Sequence, residues 1–197
     1  MKPWVCQSLC STSIRRQAPR SGETGEGRGG PTVIPAQAPR LAALLEQARA
    51  QDADLVILDT APHADNIASD SAAQADAILI PCRPSTLDLD AIGASVRLAN
   101  TAGKPAYVIA NAVPSQGTEA AQMREALEQA GVHVSPFELH QLKAFASFLQ
   151  EGKTAQEGEP KGKAAREVRE LAKWVCDKVI KLPSKHANKI AKVGTAA

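Results

Sequence analysis

Polar side chains that could bind a metal ion, a phosphate or a base follow apolar runs of the sequence. Asp59 and Thr60 close the run DLVILDT, and Asn111 closes the run AYVIAN. A carboxylate at the tip of a strand can hold Mg²⁺, usually through water. The asparagine amide both donates and accepts hydrogen bonds, so it can pair with a base edge or a sugar. The pattern leaves a structural alternative open for each, since Asp59 can cap the next helix and Asn111 can form a turn.

These residues need a scaffold, and the segments around them alternate between strand-like and helix-like patterns. Four consecutive apolar residues between polar ends are typical of parallel strands buried on both faces. Such strands are predicted at 54–59, 77–82 and 106–111, with a short fourth one within 132–137. Helices are predicted at 41–51, 66–75, 89–103, 118–131, 139–151 and 161–182. Thr118 is the expected N-cap of its helix, and Gly103 and Gly131 are the expected C-terminal glycines.

This alternation predicts an α/β fold with a doubly wound, mostly parallel sheet and flanking helices. Ligands of such folds bind beyond the carboxyl ends of the strands, where Asp59 and Asn111 stand. The chain of 197 residues is 44% hydrophobic, which excludes wholesale disorder, and only 3% aromatic, which predicts an aliphatic core. No apolar run reaches the roughly 18 residues of a membrane span. The four cysteines are too few for a disulfide scaffold and lack zinc-site spacing, so we expect a reduced, cytoplasmic protein.

The charge is distributed unevenly along the chain. Residues 161–197 hold ten Lys and Arg against three Asp and Glu, although the formal net charge of the whole chain is only +2. Such a basic end is typical of a contact with a polyanion, and a solvated helix face is the alternative. The apolar stripe of helix 161–182 should pack on the body of the protein. The candidate DNA-binding residues are Lys173, Lys178 and Lys181, which point away from this stripe, and Lys185 in the tail beyond the helix.

Four segments together resemble the ParA-type partition ATPases, which belong to the deviant Walker A group. These segments are DLVILDTAP, ADAILIPCRPSTLDLDA, YVIANAVP and GKTAQEGEPKGKAAREVREL, and their order and spacing agree with the family from about residue 32 to 182. The resemblance implies that Asp59 is the catalytic Walker B acid near Mg²⁺, with Thr60 beside the nucleotide. It implies that Asn111 recognises adenine and that Pro136 and Phe137 flank the base.

The resemblance further implies ATP and Mg²⁺ as cofactors, an ATP-dependent homodimer and non-specific DNA binding. It also implies a ParB-like partner protein, a role in plasmid or chromosome partitioning, and a cytoplasmic, nucleoid-associated location without membrane contact. We expect residues 1–31 to be irregular or disordered, 32–182 to form a partial nucleotide-binding domain, and 183–197 to be a basic flexible tail.

The sequence departs from the family at the phosphate-binding loop. The family opens with a strand and a KGGxGKT loop, whereas no G-x-x-x-x-G-K-[ST] occurs here. GETGEGRGG has no lysine and is interpreted as a linker, and Gly152-Lys153-Thr154 lacks the upstream glycine and follows a helix. In the frame shifted by two nucleotides, codons permitted by residues 1–27 can encode a strand ending in the family's DxDPQ segment. We therefore interpret the N-terminal segment as out of frame or truncated, with the P-loop strand missing and the 54–59 strand left without a neighbour.

Two classes of function remain open at this point. The first is a partition ATPase that is impaired by the loss of the Walker A loop. The second is a non-catalytic binding module that keeps the dimer or DNA surface of the family. Whether this chain is an enzyme depends on whether it holds a nucleoside triphosphate.

Overall fold

The structure is a computed structural model that describes residues 4–9, 34–51, 53, 55–60 and 65–179. Five strands form one sheet, in the order β2-β1-β3-β4-β5, and every neighbouring pair is parallel. The strands are β1 (Trp4–Leu9), β2 (Leu55–Thr60), β3 (Ala77–Cys82), β4 (Ala106–Val113) and β5 (Leu139–His140). The helices are α1 (Leu41–Ala50), α2 (Asp65–Gln74), α3 (Thr86–Thr101), α4 (Glu119–Gln129), α5 (Lys143–Gln150), α6 (Ala155–Gly158) and α7 (Lys163–Trp174). The predicted α/β class with a mostly parallel sheet and flanking helices is confirmed.

The N-terminal segment contributes a strand that the sequence did not predict. Residues 4–9 form β1, which pairs with β2 on one side and with β3 on the other. The expectation of irregular structure over 1–31 is therefore wrong for these six residues, because a parallel partner on each side satisfies their backbone groups. Residues 1–3 and 10–33, including GETGEGRGG, lie outside the described residues.

Strand β2 is paired on one side, by β1, which occupies the place beside β2 that the resemblance assigns to the P-loop strand. The expectation that β2 lacks this neighbour is therefore wrong. On its other side, β2 is the outermost strand of the sheet formed by the described residues. Ile57 is 65% exposed on the face of β2 opposite to Val56 and Leu58, so this outermost strand retains exposed apolar surface.

The main core lies on one face of the sheet. Val56 and Leu58 on β2 pack against the buried cluster that Ile78, Ile80 and other aliphatic residues form with α1 to α4. On the opposite face, the ring of Trp174 on α7 meets Tyr107 on β4 edge-on, with 5.5 Å between centroids. Helices therefore cover both faces, as the doubly wound arrangement requires.

Several predicted boundaries shift for identifiable reasons. The helix expected at 139–151 begins only at Lys143, because Leu139 and His140 pair with β4 instead. The strand expected within 132–137 is reduced to one bridge between Val134 and Val108. The helix expected at 161–182 runs as α7 and then widens into one π-helical turn over Val175–Val179.

The predicted helix-end residues have mixed outcomes. Gly103 and Gly131 adopt φ angles of 65° and 74°, which confirms their roles at the C-termini of α3 and α4. Thr118 does precede α4, but its side chain makes no capping hydrogen bond. The tail 183–197 lies outside the described residues.

Candidate nucleotide edge

The carboxyl ends of the parallel strands bring the predicted site residues to one edge of the sheet, which we call the nucleotide edge. Asp59 is exposed at the end of β2, and Thr60 beside it is 7% exposed. A single exposed carboxylate suits Mg²⁺, which usually keeps several waters and binds one or two carboxylates together with substrate phosphates. Asp59 is therefore a suitable ligand for Mg²⁺ at this edge of the sheet.

Asn111 lies on the same edge but not next to Asp59. The register aligns Asp59 with Ser8, Leu79 and Tyr107 across the intervening strands, and Asn111 stands four residues beyond Tyr107. On a flat sheet this offset places the two Cα atoms roughly 20 Å apart. A single ligand that contacts both Asp59 and Asn111 must therefore be elongated. Because a carboxylate and an amide bind different groups, the two ends of this ligand must also differ in chemistry.

The strand backbone is distorted directly after Asn111. Ala112 has a φ of 52°, and the pairing of β4 with β5 shifts register between Asn111 and Val113. A bulge of this kind redirects side chains at the end of a strand and is common beside functional sites. Sequence reasoning missed it, because alanine carries no signal for a positive φ.

Pro136 borders a groove of about 560 Å³ next to this bulge. Pro136, Glu138 and His140 alternate along the extended segment that forms one wall, which is the period of a β-strand. The end of β4, the loop that follows it and one side of α4, including Arg124, supply the rest of the lining. Phe137 is half-buried and does not line the groove, and neither does Asn111.

Ser135 fixes the start of this segment, although the sequence did not single it out. Its side chain is fully buried, and its backbone N–H donates to the Val108 carbonyl at 2.8 Å. Its carbonyl accepts from Arg124 Nη1 at 2.7 Å, and its Oγ accepts from the Phe137 N–H at 3.1 Å. Strand β4, helix α4 and the backbone of Phe137 thereby hold the residue that precedes Pro136.

Glu167 on α7 fixes the other end of the segment, and its role was also missed. This carboxylate is only 7% exposed and accepts from the His140 backbone N–H at 3.0 Å. Its second oxygen lies 2.8 Å from His140 Nδ1 and 3.6 Å from Lys163 Nζ. The available signal was its position three residues after Ala164 and four before Leu171, on the apolar face of the predicted helix, since Glu is rarely buried without partners.

Arg83 is a further cation that sequence reasoning did not assign. It is exposed directly after β3, the strand that neighbours β4 and lies one strand from β2. Ser85 caps the next helix by accepting from the Asp88 N–H, and Asp88 in turn accepts from the Arg83 N–H. This local turn fixes the backbone of Arg83 at the nucleotide edge, between the ends that hold Asp59 and Asn111.

Gly152-Lys153-Thr154 forms a link between two helices and not a phosphate-binding loop. Gly152 has a φ of 71°, and the Lys153 N–H donates a hydrogen bond to the Phe148 carbonyl at 2.8 Å. This glycine and this hydrogen bond terminate α5. Lys153 Nζ pairs with Glu151, and Thr154 forms a capping box with Glu157 at the start of α6. The interpretation of this tripeptide as unrelated to Walker A agrees with these contacts.

The candidate DNA-binding lysines are only partly described. Lys178 is exposed, and Lys173 is exposed but forms an ion pair with Asp177 one turn further on. Lys181 and Lys185 lie outside the described residues. The apolar stripe of helix 161–182 was expected to pack on the rest of the protein. Of its residues, Val175 is buried, while Val168 and Leu171 are half-buried.

Comparison with solved structures identifies the architecture. The structure of Cyanothece apo McdA matches with a TM-score of 0.54 and 19% identity, over 68% of this chain and 58% of that chain. McdA is a ParA-like ATPase. This chain has a ParA-type fold.

At 19% identity the likeness to McdA shows the ParA-type fold and no more. This chain spans 58% of the length of the McdA chain, so the activity of a whole ParA-type protein is a matter of proposal here. No protein-family model and no curated protein matches the sequence. Among the described residues, no helix is long and apolar enough to cross a membrane.

Proposed function

We propose that this chain is a ParA-like nucleotide- and DNA-binding protein whose triphosphate chemistry is impaired. The observation that carries the proposal is the ParA-type fold, which sets Asp59 and Asn111 on one edge of a parallel sheet. Asn111, Pro136 and Phe137 form the adenine end, and Asp59 with Thr60 forms the Mg²⁺ and phosphate end. The offset of roughly 20 Å between the two ends suits an elongated ligand such as a nucleoside triphosphate.

The chemistry assigned to each residue follows from its surroundings. Asp59 is exposed beyond the apolar run of β2, so it can hold Mg²⁺ through water without a buried charge. When bound, Mg²⁺ would neutralise charge on the phosphates. Arg83 offers a cation to the same region, and Asn111 offers both hydrogen-bond polarities to a base.

A non-catalytic binding module is the second candidate, and one specific observation favours it. The sequence has no G-x-x-x-x-G-K-[ST], so neither backbone amides nor a lysine of that loop can hold the β- and γ-phosphates. ATP-dependent dimerisation, binding of a ParB-like partner and a role in partitioning remain parts of the proposal that rest on the resemblance alone. We also propose a cytoplasmic, nucleoid-associated location on the same basis.

A restored chain tests the catalytic assignment of Asp59. Residues 1–31 are replaced by a strand and a KGGxGKT loop, and ATP hydrolysis is measured with and without Asp59→Ala. We expect the substitution to abolish turnover with little effect on unfolding, because the carboxylate is exposed and its removal opens no cavity. Asp90→Ala, an exposed aspartate on α3, serves as the matched control and should keep full turnover. Normal turnover in the Asp59 variant would exclude it as the Walker B acid.

A further inference from the structure

The segment 136–140 is the wall of the groove beside the proposed adenine end, and it is held at its two ends. Ser135 joins its start to β4 and α4. At its other end, His140 pairs with Val113 of β4, and the adjacent Gln141 N–H donates to the Val113 carbonyl at 2.9 Å. Glu167 from α7 holds both the backbone and the ring of His140. Because β5 has only two residues, its own ladder supplies little of the restraint on this wall.

The two contacts between Glu167 and His140 fix the orientation of the His140 ring as well as the position of its backbone. One carboxylate oxygen accepts from the backbone N–H, and the other lies within hydrogen-bond distance of the ring. The carboxylate is buried, so water competes little for these bonds, and Lys163 supplies a balancing charge at 3.6 Å. The backbone of His140 and its imidazole, which lines the groove, are thereby held by one side chain.

We propose that Glu167 is a positioning residue for the base-binding wall and couples that wall to helix α7. This inference rests on the proposed function, since the wall borders the proposed adenine end. The Glu167 carboxylate is not part of the groove lining and acts through His140. Adenosine bound against the wall favours one position of α7 through this bond, and by linkage an event that favours the same position of α7 raises adenosine affinity by the same coupling factor.

Trp174 provides a reporter for the position of α7. Its ring meets Tyr107 edge-on, so movement of α7 relative to β4 changes the surroundings of the indole. The sequence has one other tryptophan, Trp4, and Trp4→Phe leaves Trp174 as the single emitter. Amide hydrogen exchange of 137–142 reports the wall directly, without any ligand.

The decisive experiment compares Glu167→Ala, Glu167→Gln and Glu170→Ala in the Trp4→Phe chain. Glutamine can still accept from the His140 N–H and donate to the ring, so it should preserve the contact, whereas alanine removes it. Glu170 is exposed on the same helix and is the matched control. We expect Glu167→Ala to speed exchange over 137–142 at least tenfold, to shift Trp174 emission and to weaken adenosine binding about tenfold. Glu167→Gln and Glu170→Ala should resemble the parent.

The outcomes separate this proposal from the proposed function. If the parent binds no adenosine, the adenine end of the proposed function fails, and the exchange and emission measurements still decide the role of Glu167 in the wall. Unchanged exchange in Glu167→Ala, or equal losses in the alanine and glutamine variants, would overturn the positioning role. Faster exchange spread equally over β3 and β4 would also overturn it, because that result indicates a general loss of stability.

Discussion

At the scale of single residues, the strained alanine beside Asn111 gives the sharpest stability prediction. Ala112 has a φ of 52°, a conformation that costs an L-residue about 1–2 kcal/mol and glycine almost nothing. Glycine costs about 0.5–1 kcal/mol more in backbone entropy on folding, so Ala112→Gly should raise the free energy of unfolding by up to about 1.5 kcal/mol. Ala110→Gly, two residues earlier in regular strand and buried, is the control and should lower it by about 1–2 kcal/mol. Urea unfolding measures both, and equal losses would show that no strain resides at 112.

Cys82 gives a second prediction at this scale, because burial raises the pKa of its thiol to about 11, with the Asp88 carboxylate as a smaller cause. The folded state therefore keeps a proton that an unfolded thiol releases near its ordinary pKa of 9.0. The resulting contribution to stability is complete below pH 9 and is lost as the pH rises from 9 to 11. Cys82→Ala should remove this part of the pH dependence.

The measurement for Cys82 is the difference in free energy of unfolding between the parent and Cys82→Ala, followed from pH 8 to 11. Other titrating groups contribute equally to both proteins and cancel in the difference. A constant difference over this range would show that the thiol is not perturbed. As an independent check, the Cys82 thiol should resist thiol reagents at pH 8, because the thiolate is the reactive form.

At the scale of elements, helix α7 and the turn after it carry the test of DNA binding. Lys178 is exposed, whereas the charge of Lys173 is partly compensated by Asp177. Lys178→Glu should weaken binding to all duplex sequences alike, because interactions with phosphates carry no base information. Removing one lysine–phosphate interaction should reduce the slope of log K against log salt by about 0.9.

The four-fold variant, with Lys173, Lys178, Lys181 and Lys185 changed to Glu, should not bind DNA even at low salt. Glutamate at 173 also stands one turn from Asp177, so helicity is checked by circular dichroism and Lys173→Gln is measured beside it. Lys143→Glu, exposed at the start of α5 and three residues after His140, at the other end of α7, is the matched control. If the four-fold variant binds DNA as well as the parent, the basic end is only a solvated face.

At the scale of the whole molecule, the fold was readable from the sequence because local patterns and global architecture agree. The apolar runs at 54–59, 77–82 and 106–111 each became a strand of the parallel sheet, the setting in which runs of this kind are typically buried. Strand β1 was missed because WVCQSL carries no strand signal strong enough to distinguish it from its Ser- and Arg-rich surroundings. Strand β1 forms because β2 and β3 each offer it an unpaired backbone edge, and this depends on the tertiary structure and not on the local sequence.

The candidate site was readable in part for the same reason. Asp59 and Asn111 follow strands, so chain order alone places them on one edge of the sheet. The hydrogen bonds that hold the wall of the groove join residues distant in sequence, such as His140 and Glu167, which are 27 positions apart. A local sequence pattern does not predict an interaction between residues so far apart in the chain. The offset between Asp59 and Asn111 was also not predictable, because it depends on the register across four strands.

We propose that this chain keeps a place for the base, whereas its sequence lacks the G-x-x-x-x-G-K-[ST] loop that would hold the phosphates. A missing loop removes several charge-assisted hydrogen bonds, each worth about 1.5–3 kcal/mol. Two such bonds exceed the roughly 2.7 kcal/mol that a hundredfold change in affinity requires. ATP should therefore bind at least a hundredfold more weakly than to a ParA-type protein that has the Walker A loop.

The most direct measurement compares the affinities of adenosine and of ATP with Mg²⁺ for the parent chain, by competition with one fluorescent adenosine analogue. The account predicts dissociation constants within about tenfold of each other, because the triphosphate adds few interactions beyond those of the base. Asn111→Ala should weaken both ligands equally, while Asn100→Ala, exposed on α3, should weaken neither. ATP binding that is a hundredfold tighter than adenosine binding would contradict this proposal, since it would require strong phosphate contacts beyond those of Asp59 with Mg²⁺ and of Arg83.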